Sequence, residues 1–146
     1  FTRLVYGRTD VIHMLNGAIA GLVAITAEPL TPSPFAAILI GGVGGLIAVF
    51  GTQLLYKFKI DDVVGAIPAH LFAGIWGTLA VPITNNQVAF SSQLIGIISI
   101  NVFVFVISFA IWFIIKQTAG IRLSAKAEKL GTDKSEVGVV AYAIRD

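Results

Sequence analysis

The chain alternates between long apolar segments and short polar connections. Residues 11–27, 29–56 and 63–115 contain no Asp, Glu, Lys or Arg, and the last of these segments is interrupted by an uncharged polar turn at 84–87. A helix of roughly 18 or more mostly apolar residues crosses the hydrocarbon core of a bilayer, which is about 30 Å thick. The pattern therefore predicts an all-α integral membrane protein. Its four transmembrane helices are predicted at about 11–27, 35–56, 63–83 and 88–115.

Composition agrees with a membrane location. Of 146 residues, 56% are hydrophobic and 12% are charged, and the mean hydropathy is +0.89, whereas a soluble domain carries about 25% charged residues. We predict a partial membrane domain at residues 1–118 and a polar cytoplasmic tail at 119–146. The first residues, FTRLVYGRTD, have neither a start methionine nor the order of a signal peptide. We expect the chain to be one part of a longer protein.

The basic residues are distributed asymmetrically. All ten Lys and Arg residues precede the first predicted span, lie between the second and third, or follow the fourth. The two other connections, 28–34 and 84–87, contain none. Because cytoplasmic loops carry the excess of Lys and Arg, we expect a multi-pass protein of the cell (inner) membrane with both ends of this chain in the cytoplasm.

The sequence does not favour an enzyme. It contains no cysteine, no pair of histidines at metal-ligand spacing and no nucleophile triad. Its glycine-rich stretch, GGVGG, lies inside an apolar span rather than between a strand and a helix, which argues against a nucleotide site. We therefore predict no enzymatic activity, no cofactor, no metal and no nucleic-acid partner.

Small residues recur at a spacing of four. Residues 17–21 and 41–45 each read G-x-x-x-G, and Ala73 and Gly77 repeat the small-x-x-x-small spacing. Such positions let helix backbones approach closely within a membrane. We interpret them as packing contacts without chemical function.

A histidine, His70, lies inside the third predicted span. It follows Asp61 by nine residues, which is roughly 13 Å along a helix, and so it is expected near the middle of the bilayer. Ionisable side chains at that depth usually face a water-filled path or a partner and mark a functional site. The alternative is a neutral imidazole that joins helices through a backbone carbonyl. Because imidazole donates, accepts and relays protons, the functional interpretation is a narrow pore for a small, protonatable solute.

Other polar residues near the spans have two interpretations each. Asn16 either donates to a substrate or joins helices, and His13, near the cytoplasmic surface, is explained by interfacial solvation. Asp61 and Asp62 begin the third span, where they either cap the helix or form a vestibule that attracts cations.

Three stretches of sequence resemble one family. DDVVGAIPAHLFAGIWGTLA at 61–80 resembles the penultimate helix of the ammonium transporter (Amt/Mep/Rh) family. MLNGAIAGLVAIT at 14–26 is similar to the eighth helix of that family, and GIRLSAKAEKLGTD at 120–133 to the start of its cytoplasmic tail. The resemblance extends to about residue 133 and implies the last four helices of an eleven-helix fold.

The resemblance also implies a function and an assembly. Members are homotrimers embedded in lipid, and each subunit has its own pore, in which ammonium is deprotonated and ammonia is conducted. His70 matches the second of two pore histidines, and Ile19 matches an apolar residue that lines the pore. Asn16 and Thr26 match polar positions towards the two flanks of that pore.

The tail departs from the pattern of the family. The resemblance implies a P-II type nitrogen-regulatory protein as a partner at the cytoplasmic face. Family tails commonly carry more acidic residues here, whereas this chain has Lys126 and Lys129, and Val137 precedes Gly138.

Two alternatives to a transporter stay open at the level of sequence. The first is an ammonium sensor with the same membrane fold and a C-terminal signalling domain. The second is a structural four-span bundle in which His70 only joins helices.

Overall fold

The computed structural model describes residues 2–141, and the regular elements among them are all helical. The chain order is α1 (Thr2–Tyr6), α2 (Val11–Ile25), α3 (Pro34–Lys57), a π-helical segment (Ile67–Phe72) that runs directly into α4 (Ala73–Thr84), α5 (Phe90–Thr118), α6 (Ala125–Leu130) and a π-helical turn (Asp133–Val137). The predicted all-α fold class is confirmed.

Three of the described helices are long and apolar enough to cross a membrane, namely α3, the continuous helix Ile67–Thr84, and α5. The first apolar helix, α2, has 15 residues, which corresponds to about 22 Å. It ends at Ile25, two residues before the predicted end of its span. Thr26 closes α2 because its backbone N–H and its hydroxyl both donate to carbonyls of the last turn.

Glycines bring α2 and α3 together as antiparallel neighbours. A Cβ atom placed on Gly21 would lie 3.1 Å from the carbonyl oxygen of Gly41, and one placed on Gly45 would lie 3.1 Å from that of Gly17. The two G-x-x-x-G patterns therefore face each other. Their interpretation as packing contacts is confirmed, since only small residues permit this approach of two backbones.

Alanines continue this packing towards the third span. Ala20, Ala48 and Ala73 form one buried cluster with Ala69. Gly77 of α4 lies against the backbone of α2 at Ala24 without room for a Cβ atom. Small side chains thus set the distances among α2, α3 and α4, as is usual where lipid removes the hydrophobic drive for helix association.

The third span begins as a π-helix rather than an α-helix. It starts at Ile67, whereas the sequence pattern places the start of the span at residue 63. Pro68 is fully buried and lacks the amide hydrogen that an α-helical turn uses. The backbone N–H of Ala73 donates to the carbonyls of both Pro68 and His70. His70 is therefore carried on a widened turn, a feature that is frequent at functional sites.

The chain divides into two compact units, one ending at Asn101 and the other beginning at Val102. The first contains α1 to α4 and the beginning of α5. In the second, three phenylalanines of α5 stack at four-residue intervals, with ring centroids 6.2 Å apart for Phe105 and Phe109 and 6.4 Å apart for Phe109 and Phe113. None of the described α5 side chains is buried within this chain.

A side-chain pair organises the described part of the tail. Arg122 donates from two nitrogens to the Glu128 carboxylate, at 2.6 and 3.1 Å. These hydrogen bonds hold the pKa of the Glu128 carboxyl below its ordinary value. Ser124 begins α6 between them, and its hydroxyl accepts from the backbone N–H of Ala127. The end of the predicted tail, residues 142–146, lies outside the described residues.

Candidate functional site

The turn before the third span is built by one aspartate and one glycine. The carboxylate of Asp62 accepts from the backbone N–H groups of Ala66 and Ile67, at 2.9 and 2.8 Å. Gly65 has φ +72°, a conformation that a residue with a side chain rarely adopts. Asp62 thus satisfies donors that a helix start leaves unpaired. The neighbouring Asp61 is exposed.

Asn16 of α2 is hydrogen-bonded to this turn. Its amide nitrogen Nδ2 donates to the carbonyl oxygen of Val64 at 2.7 Å. A Cβ atom placed on Gly65 would lie too close to the same nitrogen, so a larger residue at position 65 would force the Asn16 side chain to move. The Asn16 N–H group therefore joins α2 to this turn. Among the described residues, no hydrogen bond to the side-chain oxygen of Asn16 is found.

The imidazole of His70 follows this anchored turn by five residues. Adjacent residues differ in burial here: Ala69 is 1% exposed and packs in the helix core, whereas the His70 side chain is exposed. Within residues 2–141 no hydrogen bond to the imidazole is found. The imidazole therefore joins none of the described helices to another through a hydrogen bond.

A small polar cavity lies at the same end of the helices. It has a volume of about 50 Å³, and its lining includes Asp10, His13, Asn16, Thr52 and Asp62. Asp10 caps α2, and its carboxylate accepts from the backbone N–H of His13 at 3.0 Å. That bond, followed by the contact with the His13 side chain, holds the pKa of the Asp10 carboxyl below its ordinary value. The cavity is thus lined by two carboxylates together with an imidazole, an amide and a hydroxyl.

Comparison with known proteins identifies the family of this chain. The model of the Ammonium Transporter Family matches residues 1–142. The chain belongs to the ammonium transporter family. The resemblance inferred from the three sequence motifs is confirmed. Because members of this family are transporters, the prediction that the chain is not an enzyme also holds.

Individual relatives give the extent of the similarity. "Ammonium transporter Amt2" of Archaeoglobus fulgidus is 39% identical, over 93% of this chain and 33% of its own length. "Ammonium transporter Amt2" of Methanocaldococcus jannaschii is 33% identical over 95% of this chain and 35% of its own length. "Ammonium transporter" of Bacillus subtilis is 32% identical over 92% of this chain and 37% of its own length. The chain spans about a third of the length of the curated relatives it matches.

The remaining residues that the family resemblance places along a pore lie on α2 or directly after it. Ile19 is 39% exposed. Thr26 is exposed at the far end of α2, where its hydroxyl donates to the carbonyl of Val23 at 2.8 Å. The structure brings Asn16 and Asp62 to one cavity, and it puts Thr26 at the opposite end of the helix. The pore roles of these residues stay predictions.

Asp10 and His13 are among the cavity-lining residues that sequence reasoning did not assign to the candidate site. His13 was expected to be solvated at the interface, but 12% of its side chain is exposed and its Nδ1 lies 3.0 Å from Asp10 Oδ1. The signal in the sequence was the three-residue spacing of Asp10 and His13 across a helix start. That spacing is also common in ordinary capping, which is why it did not stand out.

Proposed function

We propose that this chain is the C-terminal part of the membrane domain of an ammonium transporter, and that the complete protein conducts ammonia through a pore beside His70. One observation carries the proposal. In a chain of this family, the imidazole of His70 is exposed, bonded to none of the described residues, and held on a π-helical turn. A side chain that served only to join helices would be bonded to one of them.

The physical basis is the difference between an ion and a neutral molecule in an apolar conduit. Ammonium is recruited and deprotonated at the outer mouth, because a bare cation inside would pay a desolvation cost of many kcal/mol. Neutral ammonia both donates and accepts hydrogen bonds, and imidazole matches it with one donor and one acceptor. His70 then supplies the polar contact inside the pore, and Ile19 forms part of its apolar wall. Asn16 and Thr26 supply polar contacts towards the two ends of the pore.

Asp61 and Asp62 form the cytoplasmic vestibule in this proposal. Asp62 is already occupied with the helix start, so the exposed carboxylate of Asp61 is the group that attracts cations. The distribution of the ten basic residues supports a cytoplasmic location for both ends of the chain, by the positive-inside rule. The family resemblance further supports a homotrimer in the cell (inner) membrane, with a P-II type protein as a partner of the cytoplasmic face.

The test is flux through the complete protein in proteoliposomes. We expect methylammonium and ammonium uptake by the wild type, and a loss of at least tenfold in His70→Leu with an unchanged unfolding temperature. Wild-type flux in His70→Leu would contradict the pore role. Ammonium binding without any flux in the wild type would instead favour a sensor.

A further inference from the structure

Glu28 lies at the end of the helices opposite to the turn around Asp62. It follows α2, and its Oε1 accepts from the Asn85 amide just after α4, at 2.7 Å, and from the Thr31 hydroxyl. The Asn85 amide is itself fixed, because its oxygen accepts from the backbone N–H of Gln87 at 2.9 Å. One oxygen of the carboxylate is therefore held firmly by two donors.

The other oxygen has no such partner. Glu28 Oε2 is buried, and no donor among residues 2–141 lies within hydrogen-bonding distance of it. Buried polar atoms are almost always satisfied, and an orphaned carboxylate oxygen is among the most costly exceptions. Because this chain itself covers the atom, an additional donor is needed inside the covered space.

The surroundings of Glu28 favour a positively charged donor. Glu28 is the only charged residue between 11 and 56, and no charged residue occurs between 63 and 115. The C-termini of α2 and α4 both end beside it, at Thr26 and Asn85, and each contributes partial negative charge. The N-terminus of α3 opposes this only partly, since a helix end carries about half an elementary charge. Among residues 2–141, no Lys or Arg forms an ion pair with the Glu28 carboxylate.

The space next to the carboxylate fits one small ligand. Glu28 and Thr84 line a cavity of about 10 Å³ together with Ala24 and Ile40. That is about the volume which one water-sized molecule requires. The hydroxyl of Thr84 donates weakly to the Val81 carbonyl at 3.3 Å, so its oxygen can accept from a ligand. With few oxygens available, a cation that donates hydrogen bonds fits better than one that needs a full shell of oxygen ligands.

We propose that Glu28 and this cavity form a binding site for a single ammonium ion, at the end of the helices away from the basic residues. The carboxylate oxygen Oε2 accepts a charge-assisted hydrogen bond from the ion. The site lies outside the set of predicted pore residues and holds ammonium near the mouth where uptake begins. This inference rests on the proposed function, because ammonium is taken as the ligand from it.

Two measurements on the complete protein in nanodiscs and proteoliposomes test the site. The first is the shift in unfolding temperature caused by ammonium chloride, with sodium and potassium chloride at equal ionic strength as the other arms. The second is the external ammonium concentration that gives half-maximal uptake. The key variant is Glu28→Gln, which keeps the shape and removes the charge. Glu136→Gln, the same change at an exposed carboxylate in the tail, is the matched control.

We expect Glu28→Gln to weaken the ammonium-dependent thermal shift and to raise the half-saturating concentration about tenfold, with the maximal flux retained. Glu136→Gln should equal the wild type in both. Glu28→Asp keeps the charge on a side chain shorter by one methylene, and should raise the half-saturating concentration by an intermediate factor of about threefold. This variant preserves the test if the amide variant does not fold.

Three results would overturn the site. The first is equal stabilisation of the wild type by all three salts. The second is a half-saturating concentration in Glu28→Gln equal to that of the wild type. The third is an ammonium-dependent thermal shift in Glu28→Gln equal to that of the wild type, which would mean that the cavity holds water. A wild type that shows the ammonium-specific shift but no flux would overturn the proposed function and leave this site standing.

Discussion

The side-chain amide of Asn16 donates a 2.7 Å hydrogen bond to the backbone carbonyl of Val64, a residue 48 positions later in the chain. This bond ties α2 to the turn that starts the third span. The π-helical segment begins directly after this turn, and His70 lies on that segment. The position of the imidazole therefore depends on a contact made outside its own helix.

Asn16→Ala should lower the stability of the membrane domain, because it leaves the Val64 carbonyl without its donor. We expect a loss of about 1 kcal/mol in reversible unfolding of the complete protein, together with reduced uptake. Asn101→Ala is the matched control, since the Asn101 amide donates within its own helix, to the Ile97 carbonyl at 2.8 Å. Equal effects of the two variants on uptake would show that the tie to the turn is unimportant.

Two adjacent carboxylates should respond differently to the same change. Asp62→Ala removes the acceptor for two backbone donors and should cost about 1 kcal/mol, with impaired uptake as the π-helical segment loses its start. Asp61→Ala removes an exposed carboxylate and should leave the unfolding temperature within a degree or two of the wild type, because isolated surface groups contribute little. Thermal unfolding in nanodiscs distinguishes them, and a larger loss for Asp61→Ala would refute the capping role of Asp62.

The close approach of α2 and α3 predicts a strong dependence on glycine position. A Cβ atom on Gly44 would lie 2.7 Å from both the Ala20 carbonyl oxygen and the Ala24 Cβ atom, whereas one on Gly42 would meet nothing within 4 Å. We expect Gly44→Ala to destabilise by about 1–3 kcal/mol through overpacking and Gly42→Ala to be neutral. Denaturant titrations of the two variants in matched detergent give the comparison. Similar stabilities would mean that α2 and α3 separate easily.

His70→Asp tests what the imidazole contributes to selectivity. A carboxylate still accepts hydrogen bonds and relays a proton, but it adds a negative charge that attracts an intact cation. We therefore expect this variant to retain ammonium uptake while its discrimination against potassium weakens. Both fluxes are to be measured in the same proteoliposomes. Wild-type selectivity in the variant would indicate that the conduit around His70 excludes cations without help from its charge state.

The sequence by itself determined the class of fold and the family. Long segments without charged side chains require a lipid environment, and in lipid a backbone satisfies its own hydrogen bonds most simply as a helix. The regular elements among the described residues are accordingly all helical, and the three motifs identified the family that the comparison confirmed. The small-residue spacing also indicated which faces pack, because only close backbone contact explains it.

The tertiary structure decided the partners of the polar groups. Nothing in the local sequence around Asn16 points to Val64, and nothing around Glu28 points to Asn85, 57 residues later. The start of the third span, four residues later than the apolar pattern indicates, depends likewise on Asp62, Gly65 and their anchoring by α2. Apolar patterns fix which segments become helices because each residue responds to its solvent. Hydrogen bonds between segments depend instead on the register and distance of packed helices, which only the folded chain establishes.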